Sequence, residues 1–120
     1  MANTSLPSAR FALALDLVDD AGKIAEYEKA HETIWPEVRD HLRLHGVRDM
    51  EIYRLGTRLF MLMEVDPQVY SAEAMAAASK ASAVIGKWEA LMWTYQVPTP
   101  WTPVGEKWVP MERIFSLRAQ

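Results

Sequence analysis

The sequence contains no cysteine, which excludes a disulfide framework and any thiolate metal site and fits a reducing compartment. It has no apolar run long enough to cross a bilayer. Residues 1–10 lack the charged and apolar regions of a signal peptide; they read as a loose, flexible tail, and the protein as cytoplasmic. No lysine and arginine cluster accompanies the net charge of −3, so nucleic acid is not an expected partner. A glycine-rich phosphate loop, a nucleophile elbow and a zinc-protease signature are also missing. Phosphoryl transfer and nucleophilic catalysis therefore have no footing. What remains is a chain of 120 residues, half of them apolar and 24 % charged. Residues 11–120 suffice for one domain that closes a core without staples.

The apolar periodicity orders that domain. Phe11, Leu13, Leu15 and Leu17 alternate with Ala12, Ala14, Asp16 and Val18, the period of a strand. Asp19 and Asp20 offer an N-cap to a helix that starts near Lys23. Pro36 cannot donate to the carbonyl of Glu32, so this helix must kink or restart there. Gly46 suits a left-handed cap. Residues 47–55 and 58–65 read as a hairpin turned at Gly56-Thr57, with Leu59, Met61, Met63 and Val65 on one face and Phe60 and Leu62 on the other. Asp66-Pro67 suggests a helix entrance. An Ala-rich helical region follows to Tyr95, with Gly86 as its expected weak point. Pro98, Pro100 and Pro103 demand an extended loop. Residues 107–117 read as a last strand, which Pro110 confines to an edge or a bulge.

The order β-α-β-β-α-β predicts an α+β, ferredoxin-like fold with two helices on one face of a four-stranded antiparallel sheet. Because the strands carry apolar residues on both faces, the second face also needs cover. A homodimer packed sheet against sheet, of the dimeric α/β-barrel type, is the economical answer.

Chemistry concentrates in residues 26–37. On a helix, Tyr27, His31 and Trp35 fall within an arc of roughly 80°, on the same face as the apolar residues Ile24, Ile34, Val38 and Leu42. A phenol and a titratable ring on the face a helix buries need a partner or a task. An imidazole serves as acid or base near neutrality, which makes His31 the candidate catalytic group. The competing account is a core histidine satisfied by a carbonyl. His41 and His45 also stand four apart and could imitate a zinc pair, but no third ligand is placed by the sequence, and no metal is expected. Five tryptophans are present. Some fill the core; others could offer flat faces to the C–H side of a sugar. Glu89, beside Trp88, could bind hydroxyls, although an exposed helical glutamate is the commoner case.

The run Tyr27-x-x-x-His31-x-x-x-Trp35-Pro36-Glu37, followed by Gly46, the hairpin and Trp88, resembles the L-rhamnose mutarotase family from about Phe11 to Leu117. Asp49–Gly56, Trp88–Trp93 and Gly105–Trp108 resemble its L-fucose branch. The resemblance implies a metal-free and cofactor-free dimer that interconverts the α and β anomers of 6-deoxy-L-sugars. It implies His31 as acid/base and Tyr27 as its sugar-binding partner, with Trp88 an aromatic of the pocket and Trp35, Met50 and Glu89 as further substrate-binding positions. Met50 replaces a tyrosine of the rhamnose enzymes, and Glu89 a second tryptophan. Both changes favour a sugar with a different hydroxyl pattern from L-rhamnose, L-fucose above all.

Two other functions use the same scaffold, since a fold does not dictate a function. One is a cofactor-free monooxygenase or haem-degrading protein, which predicts oxygen uptake or a Soret band. The other is a small-ligand sensor, which predicts ligand-dependent stabilisation without anomer exchange.

Overall fold

Three long antiparallel strands carry the architecture: β1 (Ala9–Leu17), β2 (Val47–Leu55) and β3 (Arg58–Val65). The computed structural model describes residues 8–120; residues 1–7 of the expected tail lie outside them. β3 is central, paired with β2 from Leu55↔Arg58 to Val47↔Val65 and with β1 from Asp16↔Arg58 to Ala9↔Val65. Its alternation does what period two requires: Leu59, Met61, Met63 and Val65 are buried, while Phe60 and Leu62 are half-buried on the opposite face.

The helices lie in four pieces on the side of the buried residues. α1 (Ala21–Glu32) is capped by Asp20, whose carboxylate accepts from Lys23 N at 2.9 Å. The proline resolves its two options by restarting the chain: α2 (Pro36–Leu44) has Pro36 in its first turn and Trp35 as N-cap. Trp35 therefore leaves the α1 face on which its spacing put it. Gly46 follows at φ +91°, where a Cβ would meet the Tyr70 nitrogen and Val69 Cβ at 3.0 Å. The left-handed cap expected there is present.

α3 (Ala72–Ala81) and α4 (Ala83–Trp93) divide the second helical region. The entrance is Ser71, not Asp66-Pro67, since Asp66 first closes a turn through Tyr70 N→Asp66 O at 2.8 Å. The break falls at Ser82 rather than Gly86. Ser82 is extended and its hydroxyl accepts from Ile85 N, so one serine ends α3 and caps α4.

The far edge of β1 departs most from expectation. It is shared by β4 (Gln96–Val97), opposite Asp16 and Leu17, and β5 (Val109–Pro110), opposite Leu13 and Ala14. The strand predicted over residues 107–117 is thus reduced to two residues, extended by Met111 N→Ala12 O. Proline brings no N–H to that edge, and Ile114 and Phe115 beyond it are exposed. The strand order β2-β3-β1-β4, with β5 also on β1, remains the ferredoxin-like antiparallel order. The core joins Leu17 and Leu59 of the sheet to Tyr27, Val38, Ile85, Trp88 and Met92 of the helices.

Candidate active site

Between the helices and the sheet is a cavity of about 280 Å³, at the small end of the range that holds organic ligands. Tyr27 and His31 of α1 form part of its wall, with Met50 and Ile52 of β2 opposite, and Trp88 and Glu89 of α4 and Trp108 along its sides. Period two on β2 sends Met50 and Ile52 to the same side; four-residue spacing on α1 does the same for Tyr27 and His31. Their rings are 4.3 Å apart.

His31 has a defined tautomer. Its Nδ1 is 2.8 Å from the Tyr27 carbonyl oxygen, and a carbonyl only accepts, so Nδ1 carries the hydrogen. In the neutral ring Nε2 is then the basic nitrogen, and it has no protein partner among the described residues. Burial pulls the His31 pKa below its ordinary 6.5, with the Tyr27 carbonyl acting the other way. The carbonyl-bonded core histidine and the acid/base histidine are thus one residue: Nδ1 is satisfied structurally while Nε2 is left free.

Tyr27 is 3 % exposed. Burial raises its pKa above 10, against an opposing contribution from Gln96, whose Nε2 donates to the phenol oxygen at 3.3 Å. Trp88 stands edge-on to His31 at 5.6 Å between centroids. Trp35 is edge-on to Trp88 at 5.2 Å, behind it rather than on the cavity wall. A second cavity, also about 280 Å³ and rimmed by the Glu28–Arg54 ion pair, is lined by Tyr27, His31 and Ile52 as well. Tyr27 and His31 are therefore shared by two cavities.

Sequence reasoning missed part of the lining. His41 and Ser79 face the cavity. Ser79 Oγ donates to Met75 O, which leaves it to accept from His41 Nε2 at 2.9 Å. The His41 and His45 rings lie 4.8 Å apart, but no group of three or more metal-ligating side chains gathers among the described residues. Burial, then the neighbouring His45, lower the His41 pKa, while Glu89 raises it. Glu89 is held by Lys107, whose ammonium reaches Oε2 at 2.7 Å and lies 4.7 Å from the centre of the Trp93 ring. Gln96 also lines the cavity. A glutamine two residues before Pro98 carries no periodic signal, because β4 is only two residues long.

Fold and cavity together define a ferredoxin-like α+β domain enclosing an imidazole and a phenol in an aromatic pocket. No helix of the described residues is long and apolar enough to cross a membrane. The family model of L-rhamnose mutarotase matches residues 10–117, so this chain belongs to the L-rhamnose mutarotase family, isomerases that act on carbohydrate anomers. An L-fucose mutarotase from Xanthomonas campestris pv. campestris is 44 % identical over 110 residues, 90 % of this chain and 87 % of the relative. The crystal structure of an L-rhamnose mutarotase from Formosa agariphila superposes with a TM-score of 0.64 at 23 % identity, covering 91 % of this chain and 98 % of that one. The tetracenomycin F2 cyclase of Streptomyces glaucescens, at TM-score 0.55 and 15 % identity over 90 % of this chain and 97 % of its own, shares the fold alone.

Proposed function

We propose that the chain is a mutarotase for L-fucose or a closely related 6-deoxy-L-hexose, with His31 and Tyr27 as the catalytic pair. The observation that carries this reading is the free Nε2 of His31 beside the Tyr27 phenol, both on the wall of a cavity of about 280 Å³. His31 Nε2 takes the proton of the anomeric hydroxyl. The C1–O1 bond becomes a carbonyl as the C1–O5 bond breaks, and O5 takes the phenol proton of Tyr27. After C1 rotates, O5 returns its proton to the phenolate and adds to the other face of C1, and the carbonyl oxygen recovers the proton held by His31. No net charge or redox equivalent is consumed. A phenol with a raised pKa keeps its proton in the resting site and gives it up only as O5 becomes strongly basic.

Trp88, Met50 and Glu89 complete the substrate contacts in this proposal, and Trp35 acts by supporting Trp88. The lysine-anchored Glu89 is a charge-assisted acceptor for a sugar hydroxyl. The relative named L-fucose mutarotase supports L-fucose over L-rhamnose. Cytoplasmic location belongs to the same proposal and rests on a cysteine-free sequence.

Saturation-transfer NMR on equilibrated L-fucose tests the function. Anomer exchange should rise well above background on adding the protein; exchange at the uncatalysed rate for L-fucose, L-rhamnose and related sugars would refute it. The pH profile should follow His31. The neutral ring is the base, so activity is present above its folded pKa and lost as pH falls through it. Burial lowers that pKa, so the acid limb should lie below 6.5.

The homodimer is likewise proposed. The sheet face opposite the helices carries Ala12, Ala14, Phe60 and Leu62, all half-buried, with Tyr53 half exposed and its ring 6.0 Å from that of Phe60. An apolar sheet face of this kind, continuous from strand to strand, suits a second copy across a two-fold axis. Sedimentation equilibrium should give twice the chain mass of 13.7 kDa, and Phe60→Glu should halve it; a wild-type monomer at micromolar concentration would overturn the dimer.

A further inference from the structure

Gln96 is 5 % exposed, yet its side-chain oxygen Oε1 has no hydrogen-bond partner, the only such buried side-chain atom among the described residues. A buried amide acceptor left unmatched costs free energy in the free protein. This one lines the cavity that Tyr27 and His31 face. At the other end of the same amide, Nε2 donates to the Tyr27 phenol oxygen. Gln96 sits in β4 opposite Leu17, so the sheet, not a mobile loop, fixes where its side chain points.

We propose that Gln96 positions the Tyr27 phenol and reads one sugar hydroxyl: Nε2 supplies the hydrogen bond that the phenol oxygen accepts, and Oε1 accepts from a hydroxyl of the bound sugar. This rests on the mutarotase reading above and assigns it a residue outside the catalytic pair. With its oxygen already accepting from Gln96, the phenol has its own proton free for the ligand. It is therefore oriented to donate to the ring oxygen before the sugar arrives. The donated bond also favours the phenolate that exists while the ring is open. The unmatched oxygen gains a partner only when a hydroxyl donor enters, so the cost of leaving it bare becomes selectivity for a hydroxylated ligand over an apolar one.

Three forms of the protein test this. Gln96→Met keeps the length and loses both polar ends. Gln96→Glu keeps an acceptor, but its carboxylate draws the Tyr27 proton away from the sugar. Circular dichroism and melting establish that each is folded. For L-fucose, Gln96→Met should lose about 10–100-fold in kcat/KM, the scale of one or two buried hydrogen bonds, with KM raised and kcat lowered. Gln96→Glu should have the lower kcat of the two variants. In wild type, the Gln96 side-chain amide resonances should shift on saturation with L-fucose and stay unmoved with tetrahydropyran, the same ring without a hydroxyl donor. Wild-type kinetics in Gln96→Met, or Gln96→Glu faster than Gln96→Met, would overturn the proposal, the second because the phenol would then be donating to position 96. If wild type itself shows no anomer exchange, the proposed function fails and the positioning role of Gln96 fails with it, and the amide shift then decides the hydroxyl contact: a shift with L-fucose sustains that contact and none ends it.

Discussion

His31→Ala should lower L-fucose anomer exchange by about 10²–10⁴-fold, the usual worth of a positioned proton-transfer group, with folding and oligomeric state unchanged. The loss is chemical because Nδ1 is already spent on the Tyr27 carbonyl and Nε2 has no structural task. The ring is also only half-buried, so removing it costs far less packing than removing a core side chain. Saturation transfer measures the rate directly, and circular dichroism checks the fold. The empty space left by the imidazole borders the second cavity as well as the first. Imidazole added to the solution should therefore restore part of the exchange, while a methylated, non-titrating analogue of similar size should not. Full activity in His31→Ala would remove this residue from the mechanism.

The largest stability effect is expected at Trp88. It is 7 % exposed and packs edge-on against both His31 and Trp35. Trp88→Ala should cost about 3–5 kcal/mol, combining lost transfer energy with the cavity left behind. Against a total stability on the order of 5–15 kcal/mol, that is a large share, readable as a lower midpoint in urea. Activity should fall too, because Trp88 stands against the imidazole and lines the cavity proposed to take the sugar. Trp88→Phe keeps an aromatic wall and should recover most of the stability but less of the rate. A Trp88→Ala protein with a wild-type urea midpoint would contradict the packing described.

Both predictions rest on residues whose spacing is legible in the sequence. The bounds of the hairpin and its register from Asp49 onward were readable, since period-two alternation in Val47–Leu55 and Arg58–Val65 buries Leu59, Met61, Met63 and Val65; the irregularity between Val47 and Asp49, which brings Val47 to the buried side, was not. Gly46 and Pro36 were readable because each acts through its own backbone chemistry, one in a left-handed cap and the other in the first turn of α2. Tyr27 and His31 followed from four-residue spacing on an uninterrupted helix. The failures share a different cause. A serine that stops one helix and starts the next, or a proline that limits an edge strand to two residues, acts through competition between neighbouring elements. No local pattern records its outcome.

The sequence by itself determined the alternating strands, the capped helices and the inward imidazole–phenol pair, because periodicity and backbone chemistry act over one or two turns of chain. Only the tertiary structure decided that Trp35 would stand behind Trp88, that His41 and Ser79 would join the wall, and that Gln96 would reach the Tyr27 phenol from 69 residues away. Those contacts form when the two-residue β4 pairs with the end of β1 and the helices settle over β3. Packing of the whole chain, not the preference of any segment, sets that geometry.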